Sequence, residues 1–529
     1  MTFRNRTAWA LAGAALAAAI GVSAQAPQQP FGALGPLPTA APAATFDVFE
    51  KSIVDLLAAQ RIGTVTSRDL VQKYLDRIRA YDQDGPKLNA IITLNPRALD
   101  EAAALDAERR AGRVRGPLHG IPIVVKDNYA TEDMPTTAGS SALAGFQTGR
   151  DAFMVKRLKD AGAVIIGKTN LHELAYGITS ISSAGGQTRN PYDPTRNPGG
   201  SSGGTAAAVA ASFAAAGMGT DTCGSIRNPA SENNLFGLRG TAGLSSRSGI
   251  VPLAHTQDIG GPLARTVTDL YLMLDYTVGV DPADSTTSAS AEHIPRSYNG
   301  SVGDASLGDV TIGVLTPLFG TAPEDEEAAR IVRAALEDLR SLGAGIVEVP
   351  FPDLEELLQN TSVINAEFKF DLLDFLSAYP SAPVHSLTEI LSGGKYHPAV
   401  ESVLKRADQV TERHSAAYTA TLARRDDVRD AVATQMRRQN ITAFVYPTLR
   451  RKPALIGQPQ GGSNCQLSAT TGYPALSMPA GFTTDGLPIG MELLGQPWSE
   501  PTLLKVAYAY ERLVAPRRAP KTTPSLIAK

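Results

Sequence analysis

Three short segments of this 529-residue chain hold side chains suited to nucleophilic chemistry. The first, His119-Gly-Ile-Pro-Ile-Val-Val-Lys126-Asp-Asn128, reads as a strand ending on a lysine. The second, Asn197-Pro-Gly-Gly-Ser201-Ser202-Gly-Gly204, runs into an Ala-rich helix expected over 205–216. The third is Gly219-Thr-Asp-Thr-Cys-Gly-Ser225-Ile-Arg-Asn-Pro229. A serine hydroxyl is a poor nucleophile until a neighbouring base takes its proton. Lysine is such a base only when neutral, which requires burial to bring its pKa well below about 10.4. Lys126, following Val124 and Val125 and surrounded by glycine-rich loops, is suited to that. Taken singly, each residue has a plainer reading: Lys126 as an exposed strand end, Ser201 and Ser202 as helix caps, Ser225 as a loop residue. Together they are hard to explain as structure alone.

Other motif matches fail on context. Gly162-Ala-Val-Ile-Ile-Gly-Lys168-Thr169 has the letters of a phosphate loop, but its variable positions 163–166 are those of a buried strand rather than an exposed turn. His172-Glu173 begins a zinc-protease helix motif, yet the position four after His172 is Tyr176, and no two histidines stand at metal-ligand spacing. Gly199-Gly-Ser201-Ser-Gly203 fits the α/β-hydrolase elbow, which needs a strand before the serine. Pro191, Pro194 and Pro198 make that stretch a loop. A serine hydrolase of another kind survives this clearing.

The elements that must position these segments follow from periodicity. Residues 46–115 read as helical, with Leu70, Val71, Tyr74, Leu75 and Ile78 on one face after a start near Ser67. From 119 to 280 short apolar runs (121–125, 163–166, 218–222, 249–252) alternate with helical patterns, which argues for an α/β sheet. A strand at 310–315 opens a helix-rich stretch, and strands return at 443–446, 475–478 and 489–494 before a closing helix over 503–514. With 43% apolar and 19% charged residues the core is ample. No repeat or linker interrupts 46–515, so one large α/β domain is expected.

The three segments resemble the amidase signature family of serine hydrolases, which use a Ser–cisSer–Lys triad. The 24-residue interval from Ser201 to Ser225 and the 75-residue interval from Lys126 to Ser201 match that family's arrangement. The likeness resumes at Gly472-Tyr-Pro-Ala-Leu-Ser-Met-Pro-Ala-Gly481 and Asp485-Gly-Leu-Pro-Ile-Gly490. It is greatest to exported bacterial peptide amidases, through Arg115-Gly-Pro-Leu-His-Gly-Ile-Pro122, Gly185-Gly-Gln-Thr-Arg-Asn-Pro191 and Trp498-Ser-Glu-Pro501. It implies a single α/β/α domain, a central mixed sheet covered by helices, over 46–520. The signature core would span 115–275; the stretch 350–440, helix-rich and unlike any motif, is expected to shape the substrate site as an acyl-binding wall. It also implies Ser225 as nucleophile, Ser201 as the middle serine in a cis peptide, and Lys126 as base. The N–H groups of Thr222, Cys223, Gly224 and Ser225 would form the oxyanion hole. Ser202, Asp221 and Arg227 would support the loop, as would Asp258 and Arg265, and no metal or cofactor is required.

Two departures stand out: Cys223 occupies a position that is commonly glycine or aspartate, and the segment after the signature reads Gly237-Leu-Arg-Gly-Thr-Ala-Gly243. Cys223 and Cys465 are the chain's two cysteines, leaving open one bridge or two buried thiols.

Arg4 and Arg6 precede an apolar run over 8–22 and small-residue cleavage sites, the pattern of a signal peptide over 1–24. A Pro-, Ala- and Gln-rich lead-in at 25–45 reads as disordered. The expectation is a periplasmic or secreted protein without stable membrane insertion, acting as a monomer or homodimer. A net charge of −3 without a basic stripe argues against nucleic acid. The expected activity is hydrolysis of a carboxamide, on C-terminally amidated peptides or on aryl and alkyl amides. The rivals are an esterase or carbamate hydrolase on the same triad, the glutaminase subunit of a tRNA amidotransferase, and an inactive exported binding protein.

Overall fold

In the computed structural model, which describes residues 46–303 and 306–527, the apolar runs become strands of one large sheet. The expected signal peptide and lead-in lie outside the described residues. In chain order the strands are β1 (Ile91–Leu94), β2 (Pro122–Lys126), β3 (Val164–Thr169), β4 (Ile181–Ser182), β5 (Gly186–Gln187), β6 (Ala216–Asp221) and β7 (Phe236–Arg239). They continue with β8 (Ile259–Ala264), β9 (Thr311–Leu315), β10 (Gly345–Val349), β11 (Ala443–Pro447), β12 (Ala475–Phe482) and β13 (Pro488–Gly495). All but the β4–β5 hairpin form an eleven-stranded sheet in the order β1-β3-β2-β6-β8-β7-β12-β13-β11-β9-β10. The pairs β3–β2, β2–β6, β11–β9 and β9–β10 are parallel and the others antiparallel, so the sheet is mixed. Helices cover it, making one α/β domain.

β2 is buried at every residue and lies between β3 and β6, which accounts for its continuous apolar run up to Lys126. β3 occupies the phosphate-loop letters as a buried strand, and its Lys168 pairs with Asp127 at 3.1 Å.

The Ala-rich helix is shorter than expected. It spans Gly203–Ala210, and Ala216 already belongs to β6. Between them Ser212 takes a positive φ of 55°, and buried Arg265 donates to the carbonyls of Val209 and Ala214 at 2.8 and 2.9 Å. Pairing of 216–221 with β2 and β8 overrides the helical preference of the alanines. The strand expected at 249–252 is likewise reduced to one bridge, Ile250 with Tyr129. β1 falls within a stretch whose pattern reads as wholly helical. β8, with Gly260-Gly261-Pro262, has the composition of a turn, yet neighbours on both sides pair with it.

The segment 523–524 is tied to the domain. Buried Arg77 donates to Ala211 O and Ser212 O and to Thr523 O and Pro524 O, so ordered chain continues beyond 520. In the helix-rich stretch, Phe368, Leu372, Leu376, Leu387, Ile390 and Leu404 pack with Phe146 and Leu171 in a second apolar core. The main core lies along the sheet.

Candidate active site

The parallel neighbours β2 and β6 bring Lys126 and Thr220 together at their carboxyl ends. Lys126 Nζ lies 2.7 Å from Ser201 Oγ and 2.7 Å from Thr220 Oγ1, with Thr220 O at 3.5 Å. Lys126 is fully buried, and burial brings its pKa down to about 7, against the pull of Asp221 and Asp258. A large fraction of the amine is therefore neutral near neutrality. Asn128 donates to Thr220 Oγ1 at 3.1 Å, fixing that hydroxyl beside the amine.

Ser201 follows a cis peptide bond from Gly200. Its carbonyl accepts from His172 N at 3.0 Å, while Ser180 Oγ ties the loop through Gly199 O at 2.7 Å. Ser202 does not cap the helix with its side chain. Its Oγ donates to Thr220 O and accepts from Thr220 N, and its N–H donates to Ser225 O at 3.1 Å. That last bond joins the middle-serine loop to the Ser225 loop. Ser225 is 4% exposed, and its Oγ has no hydrogen-bond partner among the described residues. The contact from Ser225 Oγ to Ser201 Oγ that a relay requires is thus not made in the resting arrangement; such bonds often tighten only when substrate binds.

The loop 222–225 is held from beneath by Asp221. Its Oδ1 accepts from Gly224 N at 2.8 Å and from Arg239 Nη1 at 3.1 Å, and its Oδ2 from Ile226 N at 3.1 Å and Arg227 Nε at 3.0 Å. Burial alone would raise the Asp221 pKa, but Arg227 and Arg239 outweigh it and hold the carboxylate well below its usual range. Arg227 also bonds Glu492 of β13, so two acids and two guanidiniums balance without solvent. The N–H groups of Thr222, Cys223 and Ser225 donate to nothing among the described residues. Gly224 is the exception among the four expected donors, because its N–H is committed to Asp221. Asp258 accepts from Thr222 Oγ1 at 2.5 Å and from the N–H groups of Leu253 and Ala254, with its pKa raised to about 6 by burial. Arg265, the other expected support, braces the turn before β6 instead.

The two cysteines form a disulfide, Cys223–Cys465. A cleft of about 480 Å³ reaches Thr220 and Asp258 past Arg247, His255, Asp374 and Phe375. His255, Glu367 and Asp371 bring ligand-type atoms within 4.8 Å of one another, but hydrogen bonds to His255 N and Nδ1, Thr256 and Tyr418 already engage them.

A family model described as Amidase matches residues 69–504. The chain belongs to the amidase family. Native peptide amidase from Stenotrophomonas maltophilia superposes with a TM-score of 0.83 at 38% identity, covering 90% of this chain and 99% of that one. A "Probable amidase" of Arabidopsis thaliana is 33% identical, covering 90% of this chain and 92% of its own length. A glutamyl-tRNA(Gln) amidotransferase subunit of Halorhodospira halophila is 36% identical, with 88% and 97% covered. As an amidase, the protein is a hydrolase of amide C–N bonds.

Within this amidase, Thr220 and Asn128 lie in the segments that the sequence singles out, but their types alone assign them no role. Their signal is their position, at the end of β6 and two residues past Lys126. Arg239 and Glu492 give no local signal, since only the fold brings them to Asp221 and Arg227.

Proposed function

We propose that this protein is an exported amidase that converts a carboxamide to its acid and ammonia or an amine through an acyl-Ser225 intermediate. The observation that carries the reading is the buried Lys126 Nζ at 2.7 Å from Ser201 Oγ, in a loop bonded to Ser225. Neutral Lys126 accepts the Ser201 proton as Ser201 takes that of Ser225, and Ser225 Oγ attacks the amide carbon. The developing oxyanion meets the unengaged N–H groups of Thr222, Cys223 and Ser225, the type of donor whose loss costs about 10²–10³ in rate. The proton returns through Ser201 to the departing nitrogen, and water then cleaves the acyl ester by the same relay. Substrates proposed are C-terminally amidated peptides, in keeping with the likeness to peptide amidase, or aryl and alkyl amides. Asp374 and Phe375 of helix Ile364–Ser377 line the cleft, which supports a substrate-shaping role for the helix-rich part. Export rests on the pattern of residues 1–24 and is consistent with a disulfide, a bond that persists in oxidising compartments.

A second reading, glutamine hydrolysis within a tRNA amidotransferase, is favoured by the 36% identity to such a protein. The deciding experiment incubates the mature protein and Ser225→Ala with amidated peptides, anilides, esters and glutamine, following acid products by mass spectrometry. Loss of the terminal amide that disappears in Ser225→Ala is expected. Turnover of glutamine alone would move the reading to the second, and equal activity of the variant would overturn Ser225 as nucleophile.

A further inference from the structure

Every residue of the loop 222–225 has its own anchor. Thr222 Oγ1 bonds Asp258 and Thr222 O accepts from Gln257 Nε2; Gly224 N bonds Asp221; Ser225 O accepts from Ser202 N. Cys223 is different. Neither its N–H nor its C=O has a hydrogen-bond partner among the described residues, and its one covalent tie beyond its chain neighbours is the bond to Cys465, 242 residues away. Cys465 is itself well seated. It precedes helix Gln466–Thr471, its carbonyl accepts from Arg227 Nη2 at 3.3 Å, and the preceding Asn464 bonds Leu318 O and Pro447 O at 2.7 Å each. Residue 224 admits the bridge because it is glycine: with φ of 82°, a Cβ there would come within 2.7 Å of Cys465 Cβ. Both cysteines are half-buried.

We propose that Cys223 and Cys465 are a positioning pair: their disulfide fixes the Cys223 amide for the oxyanion, and the oxidised chain is the competent amidase. This rests on the reading of Ser225 as nucleophile. Reduction by a dithiol breaks the S–S bond. Two electrons and two protons pass to Cys223 and Cys465 as thiols, and the reductant closes to its own disulfide. The loop then keeps its anchors at 222, 224 and 225 and loses the one at 223.

The experiment treats the folded, full-length protein with a dithiol under native conditions and confirms two titratable thiols. It then measures kcat and KM on an amide that the native protein turns over, the rate of labelling by a fluorophosphonate, and amide hydrogen exchange across 216–226. Expected are a fall in kcat of about ten- to a hundredfold, smaller than the about 10²–10³ for removing an oxyanion donor outright because the Cys223 amide is loosened and not removed, and a KM within about twofold. Exchange should rise at 222–225 while β6 keeps its protection, and reoxidation should restore all three readouts. Cys223→Gly with Cys465→Ala should show the lowered kcat and no response to dithiol; should that variant not fold, reversible reduction of the native protein still decides. Two free thiols with unchanged kcat and unchanged exchange would overturn the proposal, as would exchange rising throughout the sheet, which marks a general staple. A protein that neither turns over amides nor reacts with the fluorophosphonate would fail the functional reading instead. The exchange measurement would then still decide whether the bridge holds the loop.

Discussion

The loops around Ser225 and the helix-rich stretch near 350–440 belong to one domain but are held in opposite ways. Around Ser225 the cohesion is polar: Asp221 gathers three backbone amides and two guanidiniums, Ser202 bonds both backbone groups of Thr220, and Thr220 bonds Lys126. The helix-rich stretch has an apolar core of its own and joins the catalytic side through buried carboxylates. Glu173 accepts from Ser183 N and His397 N, Glu367 from Thr256 and Tyr418, and Asp371 from His255. Directional bonds fix atoms to a few tenths of an ångström, whereas apolar packing fixes volume. The difference teaches that the first region is built to hold atoms in place, as the proposed reaction requires, and the second to enclose a volume, as the proposed acyl site requires.

Changes at the reacting groups should have the largest effect and spare the fold. Ser225→Ala and Lys126→Ala are each expected to lower kcat/KM by about 10³-fold or more. Native kcat/KM should rise with pH through an apparent pKa of about 7, since burial lowers Lys126 and the neutral amine is the proposed base. Below that value the rate should fall about tenfold per pH unit. A rate that falls as pH rises through 7 would exclude Lys126 as the base.

Thr220→Val should follow. It removes the hydroxyl 2.7 Å from Nζ and leaves Asn128 without that acceptor, at a cost of about tenfold in kcat with little change in KM. Steady-state kinetics would check it, and an unchanged kcat would reduce Thr220 to a bystander.

Much of the first region was legible in the sequence, and the reason is physical. Chemistry needs particular groups, so Lys126, Ser201 and Ser225 stand out by type, and β2 and β3 are long enough as apolar runs to read as buried strands. What was hidden depends on partners far along the chain. Arg239 and Glu492 reach Asp221 and Arg227 only through sheet order, and β8 is a strand because β6 and β7 pair with it despite Gly-Gly-Pro. The commitment of Gly224 N to Asp221 is likewise a matter of loop geometry that residue types do not encode. In the second region helices were visible, but an apolar core tolerates many sequences, so no residue there announced a substrate.

Truncating that second core should separate stability from chemistry. Leu372→Ala in helix Ile364–Ser377 removes a fully buried side chain, and Leu→Ala at such sites costs about 2–5 kcal/mol. Thermal unfolding should register this in full, while kcat should change less than KM because the triad loops are anchored separately. A kcat that falls with stability, at unchanged KM, would mean that the two regions are not independent.

The smallest effect is expected at the hydrogen-bonded join between the regions. His255 Nδ1 lies 2.9 Å from both Asp371 oxygens, and that bond, followed by the charges of Glu367 and Asp371, raises its pKa against burial and Arg247. A histidine whose folded pKa lies above the unfolded value of about 6.5 contributes its stabilisation in full below that value. It loses that contribution as pH rises through the folded pKa. The side chain is 47% exposed, so solvent screens the pair and the change in Tm should be small, about 1–3 °C between pH 6 and pH 8.5. His255→Asn should remove this part of the pH dependence and leave the Lys126 limb of the rate profile where it was. If the variant moved that limb as well, the join would be transmitting charge to the base through Asp258, and the separation of the two regions would fail at this point.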